Sequence, residues 1–191
     1  YTYQTNGNIA TSSVGGTYTY NSTRPHAVAS VAGIVTPNGT NSSPTITCNA
    51  TYNIENKVLT MDNGTYRNVF SYGVSGNRWR VDNYKYINSV QTFQNSKVFI
   101  NNSEFGYNSA GNIQYKRTII TAPTGVCGVW QDSAGVQTLY AIHTDYLGSW
   151  DIITNSSGVV TNRYSYDAWG RARNVTNWEL KPVDIANALA N

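Results

Sequence analysis

One short pattern recurs along the chain: an aromatic residue, any residue, a tyrosine, three further residues, and a glycine followed by Asn or Arg. Copies begin at Tyr1, Phe70, Phe105 and Tyr164, and a degenerate copy begins at Tyr18. Two aromatic rings separated by one residue fall on the same face of a β-strand, and the glycine permits a tight turn into the next strand. Each copy therefore predicts half a β-hairpin. Copies side by side predict an antiparallel sheet with a tyrosine ladder, in which each cross-strand aromatic pair contributes about 0.2–1 kcal/mol.

The clearest strand pattern lies within residues 139–173. Side chains alternate there with the period of two that is typical of strands, and two glycine-containing turns interrupt the alternation. The last stretch, 159–167, places Tyr164 and Tyr166 on one face. The segment predicts a three-stranded meander of hairpins that ends in the turn 167–170.

The residues of this meander resemble the core of the Rhs/YD-repeat family. The resemblance rests on a His-x-Asp-Tyr-Leu-Gly-Ser phrase and a Tyr-Ser-Tyr-Asp-Ala-Trp-Gly-Arg phrase, with a glycine turn between them. The residues concerned are Tyr140, His143, Asp145, Leu147, Gly148, Ser149, Gly158, Tyr164, Tyr166, Asp167, Trp169, Gly170 and Arg171. The ending over 167–180 is similar to a variant common in Bacteroidetes-type bacterial proteins.

This resemblance implies a β shell that encloses and carries a toxin, with the motif residues in structural roles. In such proteins the chain continues into a segment with an Asp-Pro-x-Gly pattern, to which the aspartates implicated in self-cleavage belong. The present sequence ends before that pattern. It begins at Tyr1 and its one methionine is Met61, which suggests a processed or excised piece.

Composition favours the same fold class. Charged residues make up 12% of the chain, against roughly 25% in an ordinary globular protein. Tyr, Thr, Val and Ile favour strands, whereas Asn and Gly favour turns. We therefore predict an all-β protein, with one short C-terminal helix over 182–189. The expected segments are N-terminal hairpins, a turn-rich linker or long loop, a central hairpin region, the meander and a tail, at 1–36, 37–45, 46–138, 139–173 and 174–191.

Charge and hydropathy limit the classes of partner. The net charge is +3 and the basic residues are scattered, so we expect no nucleic-acid partner. No apolar run approaches the roughly 18 residues of a membrane helix, so we expect no membrane span.

Cys48 and Cys127 are too distant in sequence for a compact metal site, and they form either one disulfide or two buried thiols. The low charge fits an extracellular or cell-surface protein, where a disulfide would persist.

Several side chains have a functional alternative to a structural role. His143 and Asp145 share a strand face, and a carboxylate can orient an imidazole, but no nucleophile or third ligand is fixed nearby. We therefore favour a structural role for this pair and for His26. Asp167 is better explained as the first residue of a turn. No residue is assigned as catalytic, cofactor-binding or metal-binding.

Two further groups of residues suggest carbohydrate. The tryptophans, together with tyrosines, could stack on sugar rings, although rings at strand spacing are more often cross-strand partners; they are Trp79, Trp130, Trp150, Trp169 and Trp178. Acceptor sequences for N-glycosylation occur at Asn21, Asn38, Asn41, Asn49, Asn63, Asn101, Asn155 and Asn174.

Three functions follow as hypotheses. The first is a non-enzymatic structural protein that self-associates through its sheet edges, as a subunit of an extracellular filament or surface assembly. The second is a fragment of an Rhs-type shell that carries a toxin, and the third is a carbohydrate-binding or adhesion module. The first is favoured because the unpaired edge strands of an open sheet template further pairing. The expected partners are thus other copies of the chain, with glycans as an alternative.

Overall fold

The structure is a computed structural model that describes residues 1–13, 16–34, 46–168 and 170–179. The all-β prediction is confirmed, because fifteen antiparallel strands form one open sheet and the described residues contain no helix. The strands are β1 (Thr2–Tyr3), β2 (Ile9–Ser12), β3 (Gly16–Asn21), β4 (Arg24–Ile34), β5 (Ile46–Tyr52), β6 (Val58–Asp62), β7 (Tyr66–Tyr72), β8 (Arg78–Ile87), β9 (Val90–Ile100), β10 (Ser103–Tyr107), β11 (Ile113–Ala122), β12 (Gly125–Ser133), β13 (Val136–Thr144), β14 (Trp150–Asn155) and β15 (Val160–Arg163).

The order of the strands in the sheet is their order in the sequence. Short turns explain this order, since a strand that follows a tight turn pairs with the strand before it. Between β12 and β13, for example, Ala134 and Gly135 have φ values of 53° and 84°, which is the geometry of a two-residue hairpin turn. The chain divides into two compact units, one up to Asn95 and one from Ser96, and each is described by itself.

Tyrosine hydroxyls connect neighbouring hairpins in the first unit. The Tyr52 hydroxyl donates to the Val28 carbonyl at 2.7 Å, and Val28 is the cross-strand partner of Tyr20. Tyr72 repeats this step by donating to the carbonyl of Val58 at 2.8 Å, which is the cross-strand partner of Tyr52. A further bond of this kind, 2.9 Å long, runs from Tyr20 to Ile9. The predicted tyrosine ladder is thus built from hydrogen bonds between hairpins.

The two faces of the first unit differ in chemistry. Tyrosines of the ladder lie on one face, and threonines pair across strands on the other. Thr51 and Thr60 are opposite one another, with their hydroxyl oxygens 2.7 Å apart, and Thr2 and Thr11 form the same pair at 2.6 Å. This division follows from the alternation of side chains along each strand.

A β-bulge accompanies several of the repeated hairpins. Tyr52 pairs with Val58 whereas Thr51 pairs with Thr60, so Leu59 is an extra residue in β6. The same shift in register occurs next to Tyr3, Tyr72 and Tyr107. A bulge increases the local right-handed twist of a strand pair. The repeat therefore carries a fixed backbone irregularity as well as a turn.

Burial is shallow in both units. Among the described residues no large side chain is fully buried, and the buried apolar ones are Val81 in the first unit and Val98, Val129 and Ile142 in the second. Cross-strand side-chain pairs and hydrogen bonds within the sheet therefore provide much of the stabilisation that a packed core usually provides.

Some predicted boundaries differ from the structure. The third strand of the meander ends at Arg163 and not at Asp167, because Tyr166 already bridges to Ala172 in the next hairpin. The division of the chain into segments stays a prediction, and β13 extends on both sides of its boundary after residue 138. The predicted linker 37–45, with Asn38 and Asn41, the predicted helix 182–189, and Trp169 lie outside the described residues.

The ladder predicts a measurable cost for the loss of one hydroxyl. Tyr52→Phe removes the bond to Val28 and leaves the ring in place, so we expect the free energy of unfolding to fall by about 1 kcal/mol. Tyr146→Phe is the matched control, because the Tyr146 side chain is 94% exposed. Urea titration followed by circular dichroism measures both. Equal effects of the two substitutions would contradict a role for the ladder in stability.

Candidate functional site

The first phrase of the Rhs/YD resemblance forms a turn between β13 and β14. The Asp145 backbone N–H donates to the Ser149 carbonyl at 2.9 Å. The Asp145 carboxylate Oδ1 accepts the N–H groups of Leu147 and Ser149, each at 2.9 Å. Gly148 has a φ of 84°, in the left-handed region that glycine tolerates best. The carboxylate and the glycine therefore both stabilise the turn.

The same turn recurs at the ends of other hairpins. In each copy the side-chain oxygen of the first residue accepts the N–H groups of the residues two and four positions later; these copies begin at Asn53, Asn108 and Asn155. Gly158 occupies the fourth position at φ 76°, whereas Asn56 occupies it at φ 61°. The sequence pattern missed this copy because Ala50 replaces the first aromatic residue and Asn56 replaces the glycine, although asparagine also adopts this conformation.

Asp167 begins a turn of the same kind. Its N–H donates to the Arg171 carbonyl at 2.9 Å, and the Gly170 N–H donates to the Asp167 carbonyl at 3.0 Å. Its two carboxylate oxygens accept the Arg171 backbone N–H at 2.8 Å and the Arg171 Nε–H at 2.6 Å. Both oxygens are therefore engaged by the motif arginine.

The two histidines contact polar side chains. His143 Nε2 lies 3.2 Å from the Thr154 hydroxyl on β14, while the Asp145 carboxylate binds its own turn. No hydrogen bond joins His143 to Asp145 among the described residues. His26 Nδ1 lies 2.6 Å from Oδ1 of the buried Asn8. Both imidazoles thus contact side chains with ordinary structural roles.

A groove with a volume of about 680 Å³ lies on one face of the second unit. Its lining combines aliphatic residues with aromatic rings, namely Ile119, Val126, Val129, Ile142, Ile153, Phe99, Tyr140, Trp150 and Tyr164. Register places such residues on one face, since Val129 is opposite Tyr140 and Ile142 is opposite Ile153. Of the predicted motif residues, Tyr140 and Tyr164 reach this groove. The Tyr164 ring also stacks on Tyr166, with centroids 6.5 Å apart and planes 8° from parallel.

Polar side chains from three adjacent strands also line the groove. Arg117 on β11 is opposite both Glu104 on β10 and Gln131 on β12. Its Nε–H donates to Gln131 Oε1 at 2.9 Å, and its Nη1 lies 4.0 Å from Glu104 Oε1. One cation and one anion stand side by side, so this part of the groove has no net charge.

Tyr115 fixes the position of Glu104. Its hydroxyl donates to Glu104 Oε1 at 2.5 Å. Burial, followed by the hydrogen bond and the charge of Glu104, raises the pKa of Tyr115 well above its ordinary value, so the hydroxyl remains a donor at neutral pH. Gly106 is opposite Tyr115, and a Cβ at this position would overlap the ring. The glycine therefore makes room for the tyrosine.

The disulfide, one of the two alternatives for the cysteines, is absent from the structure. Cys48 and Cys127 are free thiols, the first half-buried and the second exposed. Cys48 lies on β5 and Cys127 on β12, which are not neighbours in the sheet. Cys127 instead lies 3.5 Å from the Ile120 carbonyl on the adjacent β11.

The other predicted positions are spread over the sheet. Trp79 and Trp178 are exposed, at 42% and 66%, while Trp130 and Trp150 are half-buried. The glycosylation acceptors are turn residues with hydrogen-bonded side chains at Asn21, Asn63, Asn155 and Asn174, and exposed residues at Asn49 and Asn101.

The part of the chain that the structure describes holds no group of three His, Cys, Asp or Glu side chains suited to a metal ion. Nor does that part include a helix with the length and apolar character to cross a membrane.

Comparison with known proteins supports the fold. No family model and no curated protein matches the chain. A solved structure described as "Crystal Structure of TcdB2-TccC3-TEV" is similar, with a TM-score of 0.54 and 14% identity. The match covers 90% of this chain and 10% of that one, so the chain spans about a tenth of its length. The similarity supports the β fold, and the Rhs/YD resemblance with its Bacteroidetes-like variant stays a prediction.

The repeated turn predicts how the motif aspartate responds to substitution. Asp145→Asn keeps an acceptor oxygen, and asparagine occupies the same position at Asn53, Asn108 and Asn155, so we expect little change in stability. Asp145→Ala removes the acceptor of two N–H groups and is expected to lower the free energy of unfolding by about 1–2 kcal/mol. Thermal unfolding of the two variants against the wild type measures the difference. A large loss with asparagine would show that the carboxylate charge, and not the turn, determines the residue.

Proposed function

We propose that the chain is a non-enzymatic segment of the wall of an Rhs-type β shell, which encloses a polypeptide cargo. The observation that carries the proposal is the sheet itself, an antiparallel layer of strands in sequence order whose fold is similar over 90% of the chain to part of TcdB2-TccC3-TEV. The wall of a shell is an extended layer with an inner and an outer face. A sheet of successive hairpins is such a layer.

The exposure of apolar side chains supports a wall. Val136, Ile113 and Leu139 are 67%, 58% and 49% exposed although they belong to strands of the second unit. Exposed apolar surface of this kind favours contact with further protein. A shell would provide that contact, either to neighbouring segments or to an enclosed chain.

The positions of the polar motif residues support a non-enzymatic role. Asp145 and Asp167 accept backbone N–H groups of their own turns. A general acid or base must instead be within reach of a substrate proton. We therefore assign the motif to the construction of hairpins.

Self-association through sheet edges is the second candidate. Strands β1 and β15 are the two ends of the sheet, and all four residues of β15 are exposed. Proteins usually protect such edges with charges or proline, but Arg163 is the one charged residue in these two strands. A second copy could therefore continue the sheet, in a filament or surface assembly. The extracellular or cell-surface location of such an assembly stays part of the proposal and rests on the low charge of the chain.

The edges predict association of the purified chain. We expect light scattering to give a mass well above 21.0 kDa for the wild type. Val160→Lys, which places a charge on β15, is expected to shift the mass towards that of one chain. Val159→Lys is the matched control, because Val159 is also exposed but precedes the strand.

Negative-stain electron microscopy of the same sample separates the two candidates. Curved or closed hollow particles would support the shell wall. Straight filaments would favour the second candidate instead. A wild-type chain of 21.0 kDa that is insensitive to Val160→Lys would contradict pairing through the sheet edges.

A further inference from the structure

We infer that the groove of the second unit is a binding site for a neutral oligosaccharide, a function independent of the proposed wall. The groove is about 680 Å³ in volume, within the range of about 300–1,000 Å³ that is usual for ligand pockets. Its residues come from at least five consecutive strands whose pairing fixes their positions. The site is therefore formed before any ligand binds.

The groove offers two kinds of surface to one ligand. Tyr140 and Trp150 contribute aromatic surface beside the buried Val129 and Ile142. Glu104, Arg117 and Gln131 contribute donors and acceptors in the same groove. A pyranose sugar also has two kinds of surface, because its C–H groups form an apolar face and its hydroxyls surround the ring. Planar side chains such as carboxylate, guanidinium and amide suit pairs of adjacent hydroxyls.

The charges in the groove select a neutral ligand. Arg117 Nη1 lies 4.0 Å from Glu104 Oε1. An anionic ligand would be attracted by Arg117 and repelled by Glu104. A phosphate or nucleic-acid ligand would require unpaired cations. A purely apolar ligand would leave the polar groups without water or a partner, which is costly.

The polar groups are held in place and retain bonding capacity. Tyr115 holds Glu104, and Gln131 holds Arg117, at 2.5 and 2.9 Å. Arg117 has further N–H groups beyond the one that binds Gln131. The Gln131 Nε2 amide donates no hydrogen bond within the part of the chain that the structure describes. Such preorganised donors lower the entropic cost of binding.

The position of the groove argues against an extended peptide as its occupant. A peptide in β conformation bonds through its backbone to the edge of a sheet. The groove lies on the face of the sheet, where side chains and not backbone groups are presented. A ligand with hydroxyls around a ring is better suited to this face.

The inference is tested by calorimetric titration of the purified chain with neutral tetrasaccharides of glucose, mannose and N-acetylglucosamine. We expect at least one to bind, and Gln131→Ala to weaken its affinity about tenfold, because a buried hydrogen bond to the sugar is lost. Gln91→Ala is the matched control, since Gln91 bonds to Arg67 in the first unit as Gln131 bonds to Arg117. It is expected to leave the affinity unchanged.

A second measurement does not depend on the folding of a variant. Amide chemical shifts of the wild-type chain, followed during titration with the sugar, are expected to change in β10 to β14 and not in the first unit. Absence of binding by all three tetrasaccharides, or changes confined to the first unit, would overturn the inference. Binding at the groove by a reduced, carboxymethylated polypeptide but by no sugar would also overturn it, and would assign the groove to the cargo of the proposed shell.

Discussion

Hydrogen bonds between neighbouring hairpins are the interactions on which this fold most depends, because the sheet has little buried apolar surface to stabilise it. In the first unit the hydroxyls of Tyr52 and Tyr72 bond to carbonyls one hairpin away. Each such bond joins two adjacent strands that belong to successive hairpins, β4 with β5 and β6 with β7, and so it resists a slip of one hairpin against the next. A slip of one residue would exchange the tyrosine and threonine faces. The ladder therefore specifies register as well as adding stability.

The local parts of this design were accessible to sequence analysis. Alternation in the first two strands of the meander and the glycines at 148 and 158 predicted strands and turns that the structure contains, because turn chemistry and side-chain alternation depend on neighbouring residues. Where a local signal was ambiguous, the prediction was less good. The alternation of side chains continues without a break through Tyr164. No local signal shows that the residues before Tyr164 pair with β14 whereas those after it belong to the next hairpin.

The groove was not accessible in this way, since it depends on register over several strands. Glu104, Arg117 and Gln131 are widely separated in sequence, and they meet because β10, β11 and β12 pair with particular residues opposite one another. The register shift beside Tyr107 shows how sensitive such pairing is, because one inserted residue turns the following side chains to the other face. The sequence left the pairing of the two cysteines open for the same reason, because the order of the strands, and not composition, decides whether two cysteines can meet.

A comparison of two tyrosine–carboxylate pairs shows why the groove is distinct from the rest of the repeat. Tyr86 donates to Asp62 at 2.6 Å, and the other oxygen of Asp62 accepts the Gly64 N–H, so the pair is completed by its own turn. Tyr115 donates to Glu104 in the same manner. The neighbour of Glu104, however, is the exposed Arg117, which in turn binds the half-buried Gln131 on the groove. The same structural device that elsewhere closes a hairpin thus presents polar groups to a ligand in the second unit.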